Sequence, residues 1–298
     1  MSSPRPSPPR SRTPSSWAAL VVVLACWLAI ALGWPRLDLE WHDALTKFWL
    51  SPADRKAPSS RVVLVKITDV SVAQRARTPL PRDLLAKLIE EIARTGPKAI
   101  VLAHTIERDR TTRDLALYSA MTNAGNVLLQ QETRPGPGGR RLIEPLVEPF
   151  QRLTNRIAPA LFEPDVDGRV RSVRLKFNDV TGREQPTLAA LAAGYGETDL
   201  ATLPERIPLR FRAAPEALFP SLAAEELSRW TNTAPFSPLA SLVTSNTVVI
   251  VGPFFAGADR FDAPAAVADT EGAITASHLL AYAVDSLAQP VRPSAMHA

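Results

Sequence analysis

RVVLVKITDVSVAQRARTPLPRDLLAKLIEEIARTGPKAIVLA, residues 61–103, is the stretch that decides the fold. Residues 61–67 and 99–103 are compact runs of β-branched and apolar residues, which predict two buried strands. Between them, apolar residues recur at helical spacing over residues 82–95, and Gly96-Pro97 ends the helix. The stretch therefore predicts a strand–helix–strand unit.

The same alternation continues downstream. Residues 109–124 predict a second helix that Gly125 ends, and residues 126–130 predict a third strand. Strands that alternate with helices are typical of a mostly parallel sheet, because each crossover brings the chain back to the same edge. We therefore expect an α/β domain with a mostly parallel central sheet and flanking helices, preceded by one N-terminal transmembrane helix.

The rest of the chain predicts further elements of the same kind. A turn at residues 165–168 leads into an alternating strand that ends near residue 178. The other predicted elements are strands at 207–211 and 248–251, helices at 186–196, 223–230 and 274–288, and loops at 133–141 and 253–271.

An uncharged run, WAALVVVLACWLAIALGW at residues 17–34, precedes this domain. Its length falls within the range of about 17 to 25 residues that spans a bilayer. Tryptophans at both ends favour the membrane interface, and the three arginines before the run place the N-terminus in the cytoplasm. We therefore predict a disordered cytoplasmic tail at 1–15, a transmembrane helix at 16–34 and an extracytoplasmic domain at 35–298.

Three other interpretations of this run stay open. It could be a signal peptide cleaved at Ala29-Ile30-Ala31, although its apolar part is longer than the usual ~7–15 residues. It could be a lipoprotein signal that ends at Cys26, although apolar residues follow this cysteine. It could also be a buried core helix, which the Arg- and Pro-rich tail disfavours. Beyond it, residues 37–49 predict an amphipathic helix.

Composition disfavours two kinds of partner. The chain has 34 basic and 30 acidic residues, and three of the basic ones precede the membrane run, so the remainder is nearly neutral at 31 against 30. Such a chain lacks the basic surface that nucleic acid requires. Cys26 is the only cysteine, so a disulfide or a cysteine-based metal site within one chain is excluded.

Catalytic motifs are missing as well. The sequence contains no Gly-x-Ser-x-Gly elbow, no His-Glu-x-x-His motif and no Gly-x-Gly-x-x-Gly fingerprint. Its four histidines are scattered along the chain. We therefore expect a protein that is not an enzyme and that needs no cofactor or metal.

Polar residues follow three of the predicted strands. Asp69 and His104 come after the first two strands, and Asp259 and Asp262 come after the strand at 248–251. Because ligands of open α/β sheets bind at the carboxyl ends of the strands, these side chains could form a concave site for a cation or an amine. The alternative is that they cap helices or hold loops, as Asx side chains often do.

The segment Asp165-Val166-Asp167-Gly168 resembles the opening of a calcium loop. Position twelve of such a loop should be glutamate, and here it is Lys176. A tight turn in which Gly168 takes a positive φ is the simpler interpretation.

Two arginines complete the set of candidates. Arg82 and Arg171 could bind an anionic ligand bidentately. Alternatively, each could form a structural ion pair with Asp69 or Asp167. The predicted ligand-binding residues are therefore Asp69, Arg82, His104, Asp165, Asp167, Arg171, Asp259 and Asp262.

The order of motifs resembles the CHASE domain of type two over about residues 37–288. The motifs that carry the resemblance are Asp43, Lys66-Ile67-Thr68-Asp69 with Ser71, Thr78-Pro79-Leu80-Pro81-Arg82, Pro164–Arg171, Val248–Gly252, Asp259–Pro264 and Gly272. Three positions depart from the family pattern. Ala103-His104 stands where the family has Phe-Asp, Leu80 where it has an aromatic residue, and Ala276-Ser277 where it has His-Ala. The loss of an acid at His104 weakens any ligand site built from the family's acids.

The resemblance implies an extracytoplasmic sensory domain of a bacterial membrane receptor, with residues 35–298 in the periplasm and a single span in the inner membrane. In the family, membrane helices and a kinase or cyclase usually follow the domain, whereas this chain stops at Ala298. We therefore expect it to bind a small ligand or a partner and to signal through another membrane protein in trans, unless it is a degenerate or truncated relative. Homodimers are expected by analogy, with the helix at 37–49 as a candidate contact. The alternative function is a structural or assembly protein of the cell envelope that uses the same fold to bind proteins.

Overall fold

The computed structural model describes most of the chain after residue 57. The described residues are 58–73, 82–106, 113–136, 140–153, 156–230, 238–255, 258–264 and 273–288, together with Val21, Val23, Leu24 and Trp27. The predicted tail at 1–15, most of the predicted span at 16–34, the helix at 37–49, Asp43, residues 78–81 and Gly272 lie outside them.

The chain divides into two compact units, Met1–Phe48 and Trp49–Ala298. In the first unit, the four described positions are helical, and their side chains are 59 to 72% exposed. Among the described residues, no helix combines the length and the apolar character that a membrane span requires.

The second unit alternates strands and helices over the residues that the structure describes. The strands are β1 (Val62–Ile67), β2 (Ala99–Leu102), β3 (Val127–Gln130), β4 (Thr133–Pro135), β5 (Arg141–Ile143), β6 (Ile157–Ala158), β7 (Ser172–Arg174), β8 (Lys176–Asn178), β9 (Glu184–Pro186), β10 (Arg206–Pro208), β11 (Ser221–Ala223), β12 (Val248–Pro253), β13 (Arg260–Asp262) and β14 (Ala273–Thr275). The helices are α1 (Asp69–Ala73), α2 (Arg82–Arg94), α3 (Arg113–Ala124), α4 (Leu188–Ala193), α5 (Pro215–Leu218), α6 (Ala224–Trp230) and α7 (Ala276–Leu287).

The central sheet has six strands in the order β11-β1-β12-β2-β3-β6. Every neighbouring pair in it is parallel, as the alternation of strands and helices predicted. Strand β12 pairs with β1 from Val62↔Val248 to Ile67↔Pro253 and with β2 on its other side. The continuous apolar sequences of β1, β2 and β12 fit this arrangement, because strands in the centre of a parallel sheet are buried on both faces.

The two faces of the sheet support two separate apolar clusters. In β1, Val62 and Leu64 belong to one cluster, and Val63 and Val65 belong to the other, because successive side chains of a strand point to opposite faces. Helices α4 and α7 contribute to the first cluster, and helices α2, α3 and α6 contribute to the second. The result is a helix–sheet–helix layering, which confirms the predicted mixed α/β class.

Small antiparallel pairs surround the central sheet, and they correct two loop predictions. Residues 133–141 were expected to form a loop, but β4 pairs with β5 in antiparallel fashion. Residues 253–271 were also expected to form a loop, yet β13 pairs with β14. Both predictions were wrong because three-residue strands carry too little apolar alternation to be recognised, and their pairing depends on neighbours brought together by the fold. The other small pairs are β7 with β10 and β8 with β9.

Helix α7 begins very close to the sheet. A Cβ atom placed on Gly252 would overlap the Oγ of Ser277 and would lie 3.3 Å from the Cβ of Ala103. Ser277 is fully buried in the first turn of α7. Gly252 is therefore required because any side chain at this position of β12 would push α7 away from the sheet.

The close approach at Gly252 generates a stability prediction. The change Gly252→Ala should lower the free energy of unfolding by about 1–3 kcal/mol, because it overpacks the contact between β12 and α7. Adding Ser277→Gly removes the overlapping atoms and should recover part of this loss. Urea unfolding of the three proteins measures both effects.

Gly196→Ala serves as the matched control, because the nearest atom to a Cβ atom at Gly196 would be the Asp199 carboxylate at 3.9 Å. Its free energy of unfolding should stay close to that of the unchanged protein. Equal losses for Gly252→Ala and Gly196→Ala would refute the overpacking explanation.

Candidate functional site

A cleft opens where β1 and β12 end, with a volume of about 260 Å³. We call it the Lys66 cleft. Its polar and aromatic lining consists of Lys66, Thr68, Glu216, Phe254, Arg260, Thr275 and His278. The site lies at the carboxyl ends of parallel strands, where open α/β sheets bind their ligands.

The central sheet and its last helix position these side chains. Lys66 is the penultimate residue of β1, and Phe254 directly follows β12. The backbone N–H of Phe254 donates to the carbonyl of Ile67 at 2.8 Å, which holds the two strand ends together. Thr275 is the N-cap of α7, and its hydroxyl accepts from the backbone N–H of His278 at 3.4 Å. The cleft is therefore built on rigid elements.

The charged groups of the cleft gather around the Glu216 carboxylate. Its Oε1 lies 3.9 Å from the Nζ of Lys66 and 3.7 Å from the Nε2 of His278. The Lys66 ammonium also lies 5.1 Å from the centre of the Phe254 ring, and the His278 ring meets Phe254 edge-on at 4.8 Å. Arg260 adds a second permanent cation to the lining. Hydrogen-bond donors and positive charge therefore dominate the cleft.

A second cleft, of about 470 Å³, lies where β3 and β6 end. Its lining combines apolar residues such as Ile157, Phe177 and Leu191 with the amides of Gln131 and Gln185. No lysine, arginine or histidine is part of this lining. The Lys66 cleft is the better candidate site although it is smaller, because charged groups from several different elements converge there.

The segment after Asp165 forms the tight turn that the sequence predicted. Gly168 has φ +85°, and its N–H donates to the carbonyl of Asp165 at 2.9 Å. Arg171 donates to both carboxylate oxygens of Asp167 at 2.8 Å and to Asp165 at 3.2 Å. The structural ion pair between Arg171 and Asp167 is thereby confirmed. Because the guanidinium lies between the two carboxylates, this arrangement favours the turn over the calcium loop.

The hydrogen bond from Arg171 lowers the pKa of Asp167 from 3.8 to about 2, against the opposite effect of burial. The N–H of Arg169 and the charges of Arg171 and Arg169 contribute to the same shift. Asp167 is therefore ionised at all physiological pH values, and its charge stabilises the folded state.

Asp262 is the last residue of β13, and Asp259 directly precedes this strand. The carbonyl of Asp262 accepts from the N–H of Val170 at 2.9 Å, which places Asp262 beside the turn at Gly168. Asp259 is exposed, and its carbonyl accepts from the N–H of Ala276 at 3.3 Å. The structure thus joins Asp262 to the turn of Asp165 and Asp167, a proximity that the sequence did not reveal.

Asp69 and His104 lie where the sequence placed them, after β1 and β2. Asp69 is exposed at the start of α1, and His104 is half-buried after β2. The described residues contain no group of three or more histidine, cysteine or acidic side chains that could hold a metal ion. The predicted cluster of three acids and His104 is therefore not arranged as a metal site.

Arg82 is buried and forms an ion pair within the protein. It is 2% exposed, and its Nε donates to Asp114 at 3.0 Å. The sequence predicted an ion pair with Asp69 or Asp167. The predicted partner was wrong, although Arg82 does form an ion pair. Asp114 lies in α3, and the sequence gives no sign that α2 and α3 bring these two residues together.

None of the eight predicted residues lines the Lys66 cleft. Their role in ligand binding stays a prediction. Sequence analysis missed Glu216, Phe254, Arg260 and His278 as candidates, because they come from separate segments. The available signal was Lys66, a charged residue inside an otherwise apolar strand that the alternation pattern places near its carboxyl end.

The structure thus combines a layered α/β domain with a donor-rich cleft at the carboxyl ends of its strands, the place where open α/β sheets offer a candidate ligand site. The family model of the CHASE2 domain matches residues 18–297, and the chain belongs to this family. CHASE2 is a family of extracellular sensory domains, which confirms the resemblance found in the sequence and supports a sensory role. No curated protein and no solved structure matches the chain.

The ion pair of Asp167 generates a prediction about pH. Its folded-state pKa of about 2 lies below the ordinary value of 3.8, so its stabilisation is complete above 3.8 and is lost as the pH falls through 2. The difference between these values corresponds to about 2 kcal/mol, and partial exposure of the pair reduces it to about 1 kcal/mol. Asp167→Asn should therefore destabilise the protein by about 1–2 kcal/mol at pH 7, and this difference should be about half as large at pH 3.

Urea unfolding between pH 7 and pH 3 measures this dependence. Asp165→Asn is the matched control, because Asp165 contacts the same arginine through a single bond at 3.2 Å. It should cost less at pH 7, because one bond at 3.2 Å is lost in place of two bonds at 2.8 Å. A destabilisation by Asp167→Asn that is the same at pH 7 and pH 3 would contradict the ionised pair.

Proposed function

We propose that this protein is an extracytoplasmic sensory domain that residues 16–34 anchor in the inner membrane. In this proposal, the domain binds a small ligand in the Lys66 cleft and passes the signal to another membrane protein. The observation that carries the proposal is the cleft itself, which lies at the carboxyl ends of β1 and β12 in a domain of a sensory family. Its volume of about 260 Å³ suits a compact ligand, since the pockets that bind drug-sized ligands have volumes of about 300–1,000 Å³.

The amino-acid sequence supports the membrane anchor. Residues 17–34 carry no charge and have tryptophans at both ends, and the only charged residues before them are three arginines. By the positive-inside rule, this distribution supports an N-terminus in the cytoplasm and a domain in the periplasm. The exposed apolar side chains at Val21, Val23, Leu24 and Trp27 suit a helix that lipid surrounds.

Ser59, near the start of the described part of the second unit, is bonded to two helices. Its N–H donates to the carbonyl of Leu218 at 2.7 Å, and its hydroxyl donates to Asp285 at 2.7 Å. Leu218 ends α5, and Asp285 lies in α7. Both helices also contribute to the cleft, so a ligand that displaces either helix would act on Ser59.

We propose no catalytic activity and no cofactor, because the sequence lacks the nucleophile, metalloprotease and dinucleotide motifs that would support them. The alternative to signalling is an assembly role in the cell envelope. In that case, the same domain would bind a structural protein instead of a signalling protein.

Purification of the full-length protein from solubilised membranes tests the proposed partner. We expect a kinase, a cyclase or another membrane signalling protein to co-purify, which mass spectrometry would identify. The control is the same purification of Gly252→Ala, in which the contact between β12 and α7 is disturbed, and it should recover less of the partner. Recovery of envelope-building proteins in place of signalling proteins would favour the assembly role.

Fusion of alkaline phosphatase after residue 298 tests the proposed orientation. The enzyme folds only outside the cytoplasm, so we expect an active fusion that sediments with the membranes. Replacement of Arg5, Arg10 and Arg12 by glutamine removes the cytoplasmic charge bias and should lower the active fraction. An inactive fusion in the unchanged chain would rule out the periplasmic location.

A further inference from the structure

The Lys66 cleft already contains a carboxylate of the protein itself. Glu216 projects from α5 toward Lys66 and His278, with distances of 3.9 Å and 3.7 Å to their nitrogen atoms. Each distance exceeds the 2.7–3.2 Å of an ordinary hydrogen bond. Glu216 therefore neutralises the cleft through space without a tight bond to Lys66 or His278.

Glu216 is also easy to displace. Its side chain is 61% exposed, whereas the Lys66 side chain is 20% exposed and that of His278 is 7% exposed. An exposed ion pair contributes little to stability, because water screens it and its side chain loses freedom. Lys66 and His278 are therefore largely enclosed in the protein wall, and the Glu216 carboxylate is the exposed member of the group.

The fixed side of the cleft favours negative charge. The Lys66 ammonium rests over the Phe254 ring, an arrangement that a cation–π attraction stabilises. Because Lys66 is largely removed from water, it gains from an anion that makes direct hydrogen bonds. Arg260 lines the same space, and the hydroxyl of Thr275 supplies a neutral donor.

We propose that the ligand of this cleft is a compact anion, a carboxylate or a phosphate, that takes the place of the Glu216 carboxylate beside Lys66. This inference rests on the proposed function, since it names the chemistry of the same site. The anion forms direct charge-assisted bonds to Lys66 and Arg260, and Glu216 moves out into solvent.

The displacement has a consequence for the fold, because Glu216 belongs to a helix of only four residues. Helix α5 ends at Leu218, whose carbonyl accepts from the N–H of Ser59 at 2.7 Å. A change in the position of Glu216 is therefore transmitted to Ser59 within three residues. Without a ligand, the Glu216 carboxylate occupies the position that the anion takes. Its release is the structural change that the domain passes on.

Titration of the full-length protein in detergent with succinate and with inorganic phosphate tests this inference. Calorimetry at constant ionic strength gives the affinity of each anion. Glu216→Gln removes the competing carboxylate and should bind the preferred anion about two- to fivefold more tightly. Lys66→Gln removes the partly buried cation and should bind the anion at least about tenfold more weakly. Tighter binding of succinate would identify the ligand as a carboxylate, and tighter binding of inorganic phosphate would identify it as a phosphate.

Glu184→Gln is the matched control, because it makes the same charge change in a lysine–glutamate pair outside the cleft, with 3.2 Å between Lys176 and Glu184. Its anion affinity should equal that of the unchanged protein. Thermal unfolding of each variant shows whether it is folded at the temperature of the titration.

Two results would overturn the inference. One is Glu216→Gln binding both anions no better than Glu184→Gln, and the other is the absence of anion binding in both the unchanged protein and Glu216→Gln. The proposed function fails separately, by the absence of a signalling partner in the purification. If a signalling partner co-purifies but no anion binds, the sensory role stands and the anion proposal fails. If an anion binds but no partner co-purifies, the anion proposal stands and the sensory role fails.

Discussion

The structure depends on the insertion of β12 between β1 and β2. This strand comes last in the chain among the six of the central sheet, yet it pairs with β1 over six residues and with β2 over four. Its pairing joins the two parts of the sheet and gives each helix layer a continuous apolar face. Such a contact is possible because the entropic cost of closing a loop grows only slowly with its length, while a central strand is buried on both faces.

The same strand also determines the candidate site. Gly252 lets α7 begin against the sheet, and Phe254 continues from β12 into the wall of the cleft beside Lys66. Helix α7 then brings His278 to the site at its first turn and Asp285 to the buried contact with Ser59 near its end. The two ends of one helix therefore contact the candidate cleft and Ser59.

The sequence leaves the partners of its buried arginines undecided. Arg82 and Arg171 had two interpretations, an anion site or an ion pair, and both arginines form ion pairs in the structure. An arginine is expected in an anion site and in an ion pair alike. In both, the buried guanidinium needs an anionic partner, which a ligand or the protein itself can supply. Pattern and spacing cannot distinguish them, since the partner Asp114 lies in a different helix from Arg82.

The sequence by itself determined the α/β class, the parallel strands, the tight turn at Gly168 and the family, because these follow from local apolar periodicity, backbone freedom and short motifs. It also contains the uncharged run at 17–34 that supports an anchor. Only the tertiary structure decided the strand order, the short antiparallel pairs and the lining of the Lys66 cleft. The physical reason is that Lys66, Glu216, Phe254 and His278 lie far apart along the chain, and their proximity results from the insertion of β12 and the packing of α7.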